Sequence, residues 1–155
     1  VTCGMISFVS SVTVFGKRDF KIGIRTPDTS GELCGYVTLR DKSLSVSGDY
    51  ERFYEIGGER YAHILDTKTG EPIASELHSV VVIANDGVTA DVLSTAIFVM
   101  GIEKAAEFYQ NRNIEFEFLC IYGDKIILSD GFASQFEIKS NVYRMLSLSD
   151  YILEC

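Results

Sequence analysis

Residues 78–84 (HSVVVIA) form an apolar run that constrains the fold more than any other part of this sequence. A strand with one face in water alternates polar and apolar residues. This run does not, so it predicts a central strand buried on both faces. The polar segment after it leads into a predicted helix at 90–100, with Gly101 as its C-cap. A second helix is predicted at 103–111, so we expect a buried sheet covered by helices.

Shorter runs rich in β-branched and aromatic residues predict the rest of the sheet. The predicted strands are 5–15, 20–25, 35–40, 43–47, 50–56, 59–65, 115–122 and 125–129. Gly57-Gly58 and Gly123-Asp124 mark hairpin turns between consecutive strands, and a short helix is expected after Asn141. Since no repeat or linker interrupts the pattern, we expect one antiparallel, strand-rich α+β domain over residues 1–155.

The charge of the chain bears on its partners. Its 155 residues include 14 Lys and Arg against 22 Asp and Glu, a net charge of −8. The basic residues are scattered, so the positive surface that nucleic acid requires is not expected. An acidic protein that handles a phosphorylated ligand needs a metal ion or clustered donors to offset repulsion. No window reaches the roughly 18 consecutive apolar residues of a membrane span, and the N-terminal stretch predicts a strand rather than a signal peptide.

The four cysteines, Cys3, Cys34, Cys120 and Cys155, lie far apart and form no Cys-x-x-Cys pair. That spacing argues against a zinc site and leaves a disulfide open. Cys120 lies within the apolar run FEFLCIY, which favours a buried thiol with a structural role. The cysteines therefore leave the compartment undecided.

Asp91 and Thr95 are the candidate metal ligands, because residues four apart on a helix share one face. Ser94 lies beside them at i+3. A carboxylate and a hydroxyl oxygen at that spacing suit Mg²⁺, which keeps several waters and takes further oxygens from substrate phosphates. The alternative is that Asp91 complements the helix dipole while Thr95 bonds back to the Asp91 carbonyl. Spacing alone favours this alternative, since acids in a first helical turn are common.

Four motifs in a fixed order shift that balance. They are Ser47-Gly48-Asp49-Tyr50, then YAHILDTKTGEP at 61–72, SVVVIA at 79–84, and ADVLSTAIFVMG at 90–101. Together they resemble the C-terminal half of the ApbE family, the FAD:protein FMN transferases. Several motifs in the right order over about 55 residues are far more specific than any one of them.

The resemblance implies a T-fold-like α+β architecture, with an antiparallel sheet packed with helices. It also implies an activity: the pyrophosphate of FAD is cleaved, FMN passes to a threonine or serine hydroxyl of a target flavoprotein, and AMP is released. Some members of the family let water attack instead and give FMN and AMP. Both reactions are phosphoryl transfers that depend on positioning and charge stabilisation, and the implied cofactor is Mg²⁺ with FAD as substrate.

Residue by residue, the resemblance makes Asp91 and Thr95 the side-chain metal ligands. Ser94 occupies a nearby position that is often acidic and sometimes contributes to the metal site. Ile64 corresponds to a position whose backbone lines the FAD site, and its neighbour His63 is a candidate cofactor contact and general acid or base. A structural role for His63, holding the turn, is the more common one for such a histidine.

Two departures from the family pattern bear on function. The family segment that supplies a further metal ligand and an FAD-binding lysine has no counterpart in this sequence, so we expect an N-terminal segment or a second chain to complete the site. Phe8-Val9-Ser10-Ser11-Val12 stands where the family has a Gly-Gly pair, and Thr67 replaces a proline.

Three functions therefore remain open: the transferase, a non-catalytic flavin-binding or assembly module, and an FAD pyrophosphatase. Members of the family are often exported and lipid-anchored, so the resemblance favours the cell envelope over the cytoplasm.

Overall fold

The computed structural model of the protein describes residues 2–28, 30–49, 53–56, 59–62, 64–66, 68–73 and 75–154, with backbone only for 53–56, 59–62 and 154. The strands are β1 (Cys3–Phe8), β2 (Ser11–Gly16), β3 (Phe20–Arg25), β4 (Leu33–Leu39), β5 (Lys42–Gly48), β6 (Phe53–Ile56), β7 (Glu59–Ala62), β8 (Ser79–Ala84), β9 (Phe116–Tyr122), β10 (Lys125–Leu128), β11 (Phe136–Ile138) and β12 (Arg144–Ser147). The helices are α1 (Gly87–Met100), α2 (Ile102–Gln110), α3 (Asp130–Ala133) and α4 (Leu148–Glu154).

The seven-stranded main sheet has the strand order β1-β2-β5-β8-β9-β10-β12. Every residue of β8 is buried, which confirms the central strand predicted from the apolar run. All pairs in this sheet are antiparallel except β10 with β12, which are parallel. A three-stranded sheet with the order β11-β4-β3 and a β6-β7 hairpin complete the strands. The predicted α+β class with a large antiparallel sheet and helices is therefore confirmed.

Two apolar cores lie on opposite faces of the main sheet. The helix-side core includes Val80 and Val82 of β8 and is covered by α1, α2 and α4. The second core includes Val81 and Ile83, the alternate residues of the same strand, and is covered by the three-stranded sheet and α3. The period of two along β8 thus divides one apolar run between two cores.

Each core contains one buried cysteine. Cys120 belongs to the helix-side core and Cys34 to the second core, and both are fully buried. Burial raises the pKa of the Cys34 thiol to about 12 and raises that of Cys120 as well, because an apolar interior disfavours the thiolate. The structural role predicted for Cys120 agrees with this burial.

Helix α1 begins earlier than the sequence predicts. Asp86 is the N-cap, and its carboxylate accepts a hydrogen bond of 2.9 Å from the Thr89 backbone N–H. A capping acid of this kind satisfies one of the free N–H groups in the first turn, which moves the start from 90 to Gly87. The end is as predicted: Gly101 adopts a φ of 77°, and its N–H bonds to the carbonyl of Ile97.

Two other segments differ from prediction. The single strand predicted at 5–15 is a hairpin, with β1 and β2 paired antiparallel around Val9 and Ser10. Val9 adopts a left-handed backbone conformation in the turn, with a φ of 46°. The apolar character of the segment gave no sign of this turn. The segment after Asn141 holds β12 as well as the expected helix, α4. In the described ranges, no helix is long and apolar enough to cross a bilayer.

Candidate functional site

Hydroxyl side chains line two neighbouring strands of the main sheet, β2 and β5, beneath α1. Ser43, Ser45 and Ser47 alternate along β5 and therefore point to one face. On β2, Ser11 lies opposite Ser45 and Thr13 lies opposite Ser43. Each of these two pairs is joined by a hydrogen bond of 2.9 Å. We refer to Ser11, Thr13, Ser43, Ser45 and Ser47 as the hydroxyl seam.

Helix α1 packs on this seam as well as on β8. Its first turn approaches closely, because a Cβ added at Gly87 would lie 3.4 Å from Thr13 Oγ1 and 3.8 Å from Ser43 Oγ. One turn further on, Asp91 Oδ1 accepts hydrogen bonds from Ser45 Oγ at 2.9 Å and from Ser11 Oγ at 3.4 Å. The seam therefore contacts the helix at the position of the predicted metal ligand.

The next turn of α1 carries the other two predicted metal-site residues. Ser47 Oγ lies 3.0 Å from Thr95 Oγ1 and 2.9 Å from Ser94 Oγ. Asp91 and Thr95 are exposed, whereas Ser94 is fully buried. The structure thus brings Asp91, Ser94 and Thr95 together on one patch, with Ser94 behind the two exposed side chains. Their role as metal ligands stays a prediction.

The helix-dipole explanation of Asp91 does not fit this geometry. Asp91 is the fifth residue of α1, and the first turn contains no acidic residue. The end of the helix is satisfied by Asp86 instead. Thr95 does reach the carbonyl of Asp91, but at 3.4 Å, whereas Ser94 donates to the same carbonyl at 2.9 Å. Capping therefore leaves the exposed carboxylate of Asp91 unexplained.

The oxygen atoms on this patch suit a hard cation. Asp91 offers a carboxylate and Thr95 a hydroxyl, the ligand types that Mg²⁺ takes in proteins. Among the described residues, no group of three or more His, Cys, Asp or Glu side chains forms a complete metal site. A cation held here would therefore take its remaining ligands from water, from substrate phosphates or from protein groups beyond these residues.

The predicted flavin-binding segment is described in part. His63 lies outside the described residues, so its predicted contacts and its catalytic role stay predictions. The side chain of Ile64 packs in the helix-side core, and its carbonyl accepts a hydrogen bond of 3.0 Å from the Ile73 N–H. Its role at the FAD site is likewise a prediction.

Asp66 organises the turn after Ile64 through its side chain. Asp66 Oδ1 accepts hydrogen bonds from the backbone N–H groups of Lys68, at 2.7 Å, and Thr69, at 3.3 Å. These bonds hold the pKa of Asp66 below its usual value. Gly70 adopts a φ of 72°. Asp66 and Gly70 therefore shape the turn.

Sequence reasoning assigned no role to His78 and did not single out the serines of the seam. His78 Nδ1 lies 3.2 Å from Asp49 Oδ2, and both side chains are partly exposed. Asp49 follows the alternation of Ser45 and Ser47 along β5, so the polar row ends in an acid–histidine pair. The alternating serines of SLSVS were a usable signal, but only the register with β2 shows that they meet Ser11.

Comparison with known proteins shows which family the chain belongs to. The model of the ApbE family matches residues 1–119, and the chain belongs to that family. Among curated relatives, the FAD:protein FMN transferase of Klebsiella pneumoniae (strain 342) is 36% identical over 113 residues, which are 72% of this chain and 36% of that protein. The enzyme of the same name from Haemophilus influenzae is 39% identical over 99 residues, 63% of this chain and 29% of that protein.

Solved structures show the same relationship. The ApbE protein of Thermotoga maritima superposes with a TM-score of 0.76 at 33% identity, over 86% of this chain and 44% of that one. The apo form of the Pseudomonas stutzeri flavinyl transferase ApbE gives a TM-score of 0.66 at 28% identity, over 90% of this chain and 45% of that one. The chain thus spans less than half the length of the relatives it matches.

Proposed function

We propose that this chain forms part of a Mg²⁺-dependent transferase that moves FMN from FAD to a threonine or serine hydroxyl of a target flavoprotein. Membership of the ApbE family supports the reaction class. The observation that carries the proposal within the chain is the exposed pair of Asp91 and Thr95, both hydrogen-bonded to β5 through Ser45 and Ser47. An N-terminal segment or a second chain completes the site.

In the proposed reaction, the acceptor oxygen bonds to the phosphorus on the FMN side of the pyrophosphate. The bond from that phosphorus to the bridging oxygen breaks, AMP leaves with the bonding electron pair, and the proton of the acceptor passes to solvent or to a base. Asp91 and Thr95 would hold Mg²⁺, which when bound would offset negative charge on the phosphates. This chain has a net charge of −8, so a pyrophosphate without a cation would be repelled.

Chromatography and mass spectrometry of the products test this proposal. The chain, together with the segment or second chain that completes the site, is incubated with FAD and Mg²⁺, with and without acceptor peptides that contain threonine or serine, and EDTA is the control. AMP together with a flavinylated peptide, both lost in EDTA, is the expected result. AMP and FMN without any acceptor would identify a pyrophosphatase instead. FAD binding without AMP would identify a non-catalytic flavin-binding module. Either result would overturn the transferase proposal.

The cellular compartment of the reaction is a further part of the proposal. We expect the reaction to take place in the cell envelope, on the strength of the family resemblance. Fractionation of the native host, with an antibody raised against this chain, tests that expectation. Recovery in the soluble cytoplasmic fraction alone would contradict it.

A further inference from the structure

The hydroxyl seam contains two pairs that are nearly equivalent apart from their contact with α1. Ser45 with Ser11 and Ser43 with Thr13 are neighbours in register on the same two strands. Both pairs have a hydrogen bond of 2.9 Å, and both β5 serines are buried, with 0% and 1% of their surface exposed. In the described part of the chain, only the first pair is hydrogen-bonded to Asp91. Ser43 is thus a natural comparison for Ser45.

The direction of each hydrogen bond in the Ser45–Ser11 pair follows from which groups can donate a proton. An ionised carboxylate only accepts, and a hydroxyl has a single proton. Ser45 therefore donates to Asp91 Oδ1 at 2.9 Å. With that proton committed, Ser11 directs its own proton towards Ser45 Oγ at 2.9 Å, with Asp91 Oδ1 as a longer second acceptor at 3.4 Å. No described residue donates to Asp91 Oδ2, so one carboxylate oxygen is fixed and the other is left to a ligand.

The same reasoning orders the hydroxyls around Thr95. Ser94 donates to the carbonyl of Asp91 at 2.9 Å, which uses its proton. With that proton used, Ser47 donates to Ser94 at 2.9 Å, and Thr95 donates to Ser47 at 3.0 Å, with the carbonyl of Asp91 as a longer second acceptor at 3.4 Å. Each proton points into the protein along this chain of bonds. The lone pairs of the exposed Thr95 oxygen are left outward, which is what a cation requires of a hydroxyl ligand.

We propose that Ser45 and Ser47 are positioning residues that hold the Asp91 carboxylate and the Thr95 hydroxyl in the orientation that binds a divalent cation. This inference rests on the proposed function for the identity of the two ligands, and adds two residues that would not touch the cation. An exposed aspartate samples several rotamers, and a buried hydroxyl that anchors one oxygen restricts it before the cation arrives. Residues that orient metal ligands in this way typically change metal affinity by about 10–100-fold when removed.

Mn²⁺ affinity, measured by water-proton relaxation during titration of the chain, tests the proposal without any need for catalysis. We expect Ser45→Ala to weaken Mn²⁺ binding by about 10-fold, and Ser47→Ala to weaken it as well. Ser43→Ala is the matched control: it removes a buried hydroxyl and one 2.9 Å hydrogen bond from the same strand. We expect Ser43→Ala to bind Mn²⁺ like the parent chain.

Thermal unfolding of the same variants separates positioning from a structural role. Ser45→Ala is expected to lower the melting temperature at least as much as Ser43→Ala, because it removes the bond to Asp91 as well as the bond to its β2 partner, so Mn²⁺ affinities are compared at a temperature at which both variants are folded. If Ser45→Ala does not fold, Ser11→Ala removes the outer donor of the pair at a half-buried position. That variant is expected to weaken Mn²⁺ binding in the same direction by a smaller factor, with Thr13→Ala as its control.

Several outcomes would overturn the inference: equal Mn²⁺ affinities in Ser45→Ala and Ser43→Ala, tighter binding in Ser45→Ala, or no saturable Mn²⁺ site in the parent chain. These outcomes are distinguishable from failure of the proposed function. AMP release from FAD, with equal Mn²⁺ affinities in the two variants, would retain the reaction and reject the positioning role. A 10-fold difference in Mn²⁺ affinity between the two variants, in a protein that never releases AMP, would retain the positioning role and reject the reaction.

Discussion

The helix-facing side of the main sheet has two halves of opposite character, and α1 lies across both. Under one half, β8 presents apolar side chains to the helix, whose Leu93, Ile97 and Phe98 belong to the same core. Under the other half, β5 and β2 present the hydroxyl seam to Asp91, Ser94 and Thr95. One helix is therefore held by apolar packing along one stripe and by hydrogen bonds along another.

The two halves differ in how much they contribute to the stability of the protein. Burial of a large apolar side chain contributes about 1.5–3 kcal/mol, whereas an intramolecular hydrogen bond contributes a net of only about 0.5–1.5 kcal/mol. The apolar half therefore supplies most of the free energy that fixes α1 on the sheet. The hydroxyl half contributes less to stability, and it is tolerated because its buried hydroxyls are hydrogen-bonded. What it contributes is the orientation of Asp91 and Thr95.

Asp91→Asn is expected to have the largest effect of any change on the polar half: complete loss of Mg²⁺-dependent AMP release from FAD, with little change in the free energy of unfolding. Asn keeps the shape of the side chain and removes its charge, and divalent cations favour carboxylate oxygens. Chromatography of the products and denaturant unfolding measure the two quantities. Asp86→Asn, which removes a carboxylate from the end of the same helix, is the control. AMP release at the parent rate in Asp91→Asn would reject the metal assignment.

Phe98→Ala tests the apolar half. Phe98 is 1% exposed in the helix-side core, and a substitution of this kind leaves a cavity that costs about 3–5 kcal/mol. Denaturant unfolding followed by circular dichroism measures the loss. Val92→Ala, on the exposed side of α1, is the control, and we expect a change within about 0.5 kcal/mol. Equal losses in the two variants would show that the apolar half does not dominate the attachment of α1.

The smallest effect is expected at the N-cap of α1, where the contribution of Asp86 to stability depends on pH. Hydrogen bonds from the backbone N–H and the hydroxyl of Thr89 hold the pKa of Asp86 below its usual value. A carboxyl whose pKa is lowered on folding stabilises the protein above its unfolded pKa, about 4, and that contribution is lost as the pH falls through the folded pKa.

Asp86→Ala should therefore lower the melting temperature by about 2–4 °C at neutral pH, and the difference from the parent chain should shrink as the pH falls below the usual pKa of an aspartate, about 4. Differential scanning calorimetry at a series of pH values measures it. Thr89→Val is the control, because it removes the hydroxyl bond to Asp86 and keeps the backbone one. A melting-temperature difference that stays constant down to the lowest pH would contradict the capping role.

Much of the apolar half was predictable from the sequence. The run at 78–84 identified the buried strand, since it is short, continuous and rich in β-branched residues. The helices at 90–100 and 103–111 were found, with Gly101 as the boundary between them. Asp91 and Thr95 were identified by four ordered motifs rather than by their spacing. The structure places them together on the exposed side of α1, next to β5.

The polar half was harder to predict, because its partners are distant in sequence. Ser11 and Ser45 meet only through the register of β2 with β5. That register depends on the β1-β2 hairpin, which the sequence pattern predicted as a single strand at 5–15. The start of α1 was missed because Asp86 competes with other polar residues before the helix as a candidate cap. Asp49 and His78 likewise meet only where β5 and β8 lie side by side.

The two buried thiols give each face of the sheet its own reporter of local opening. Alkylating reagents react with the thiolate, and burial suppresses it at both Cys34 and Cys120. Labelling of either residue therefore requires the core around it to open. Peptide mass mapping after timed exposure to such a reagent would show whether the helix layer detaches from the main sheet before the three-stranded sheet does, without an engineered probe at either position.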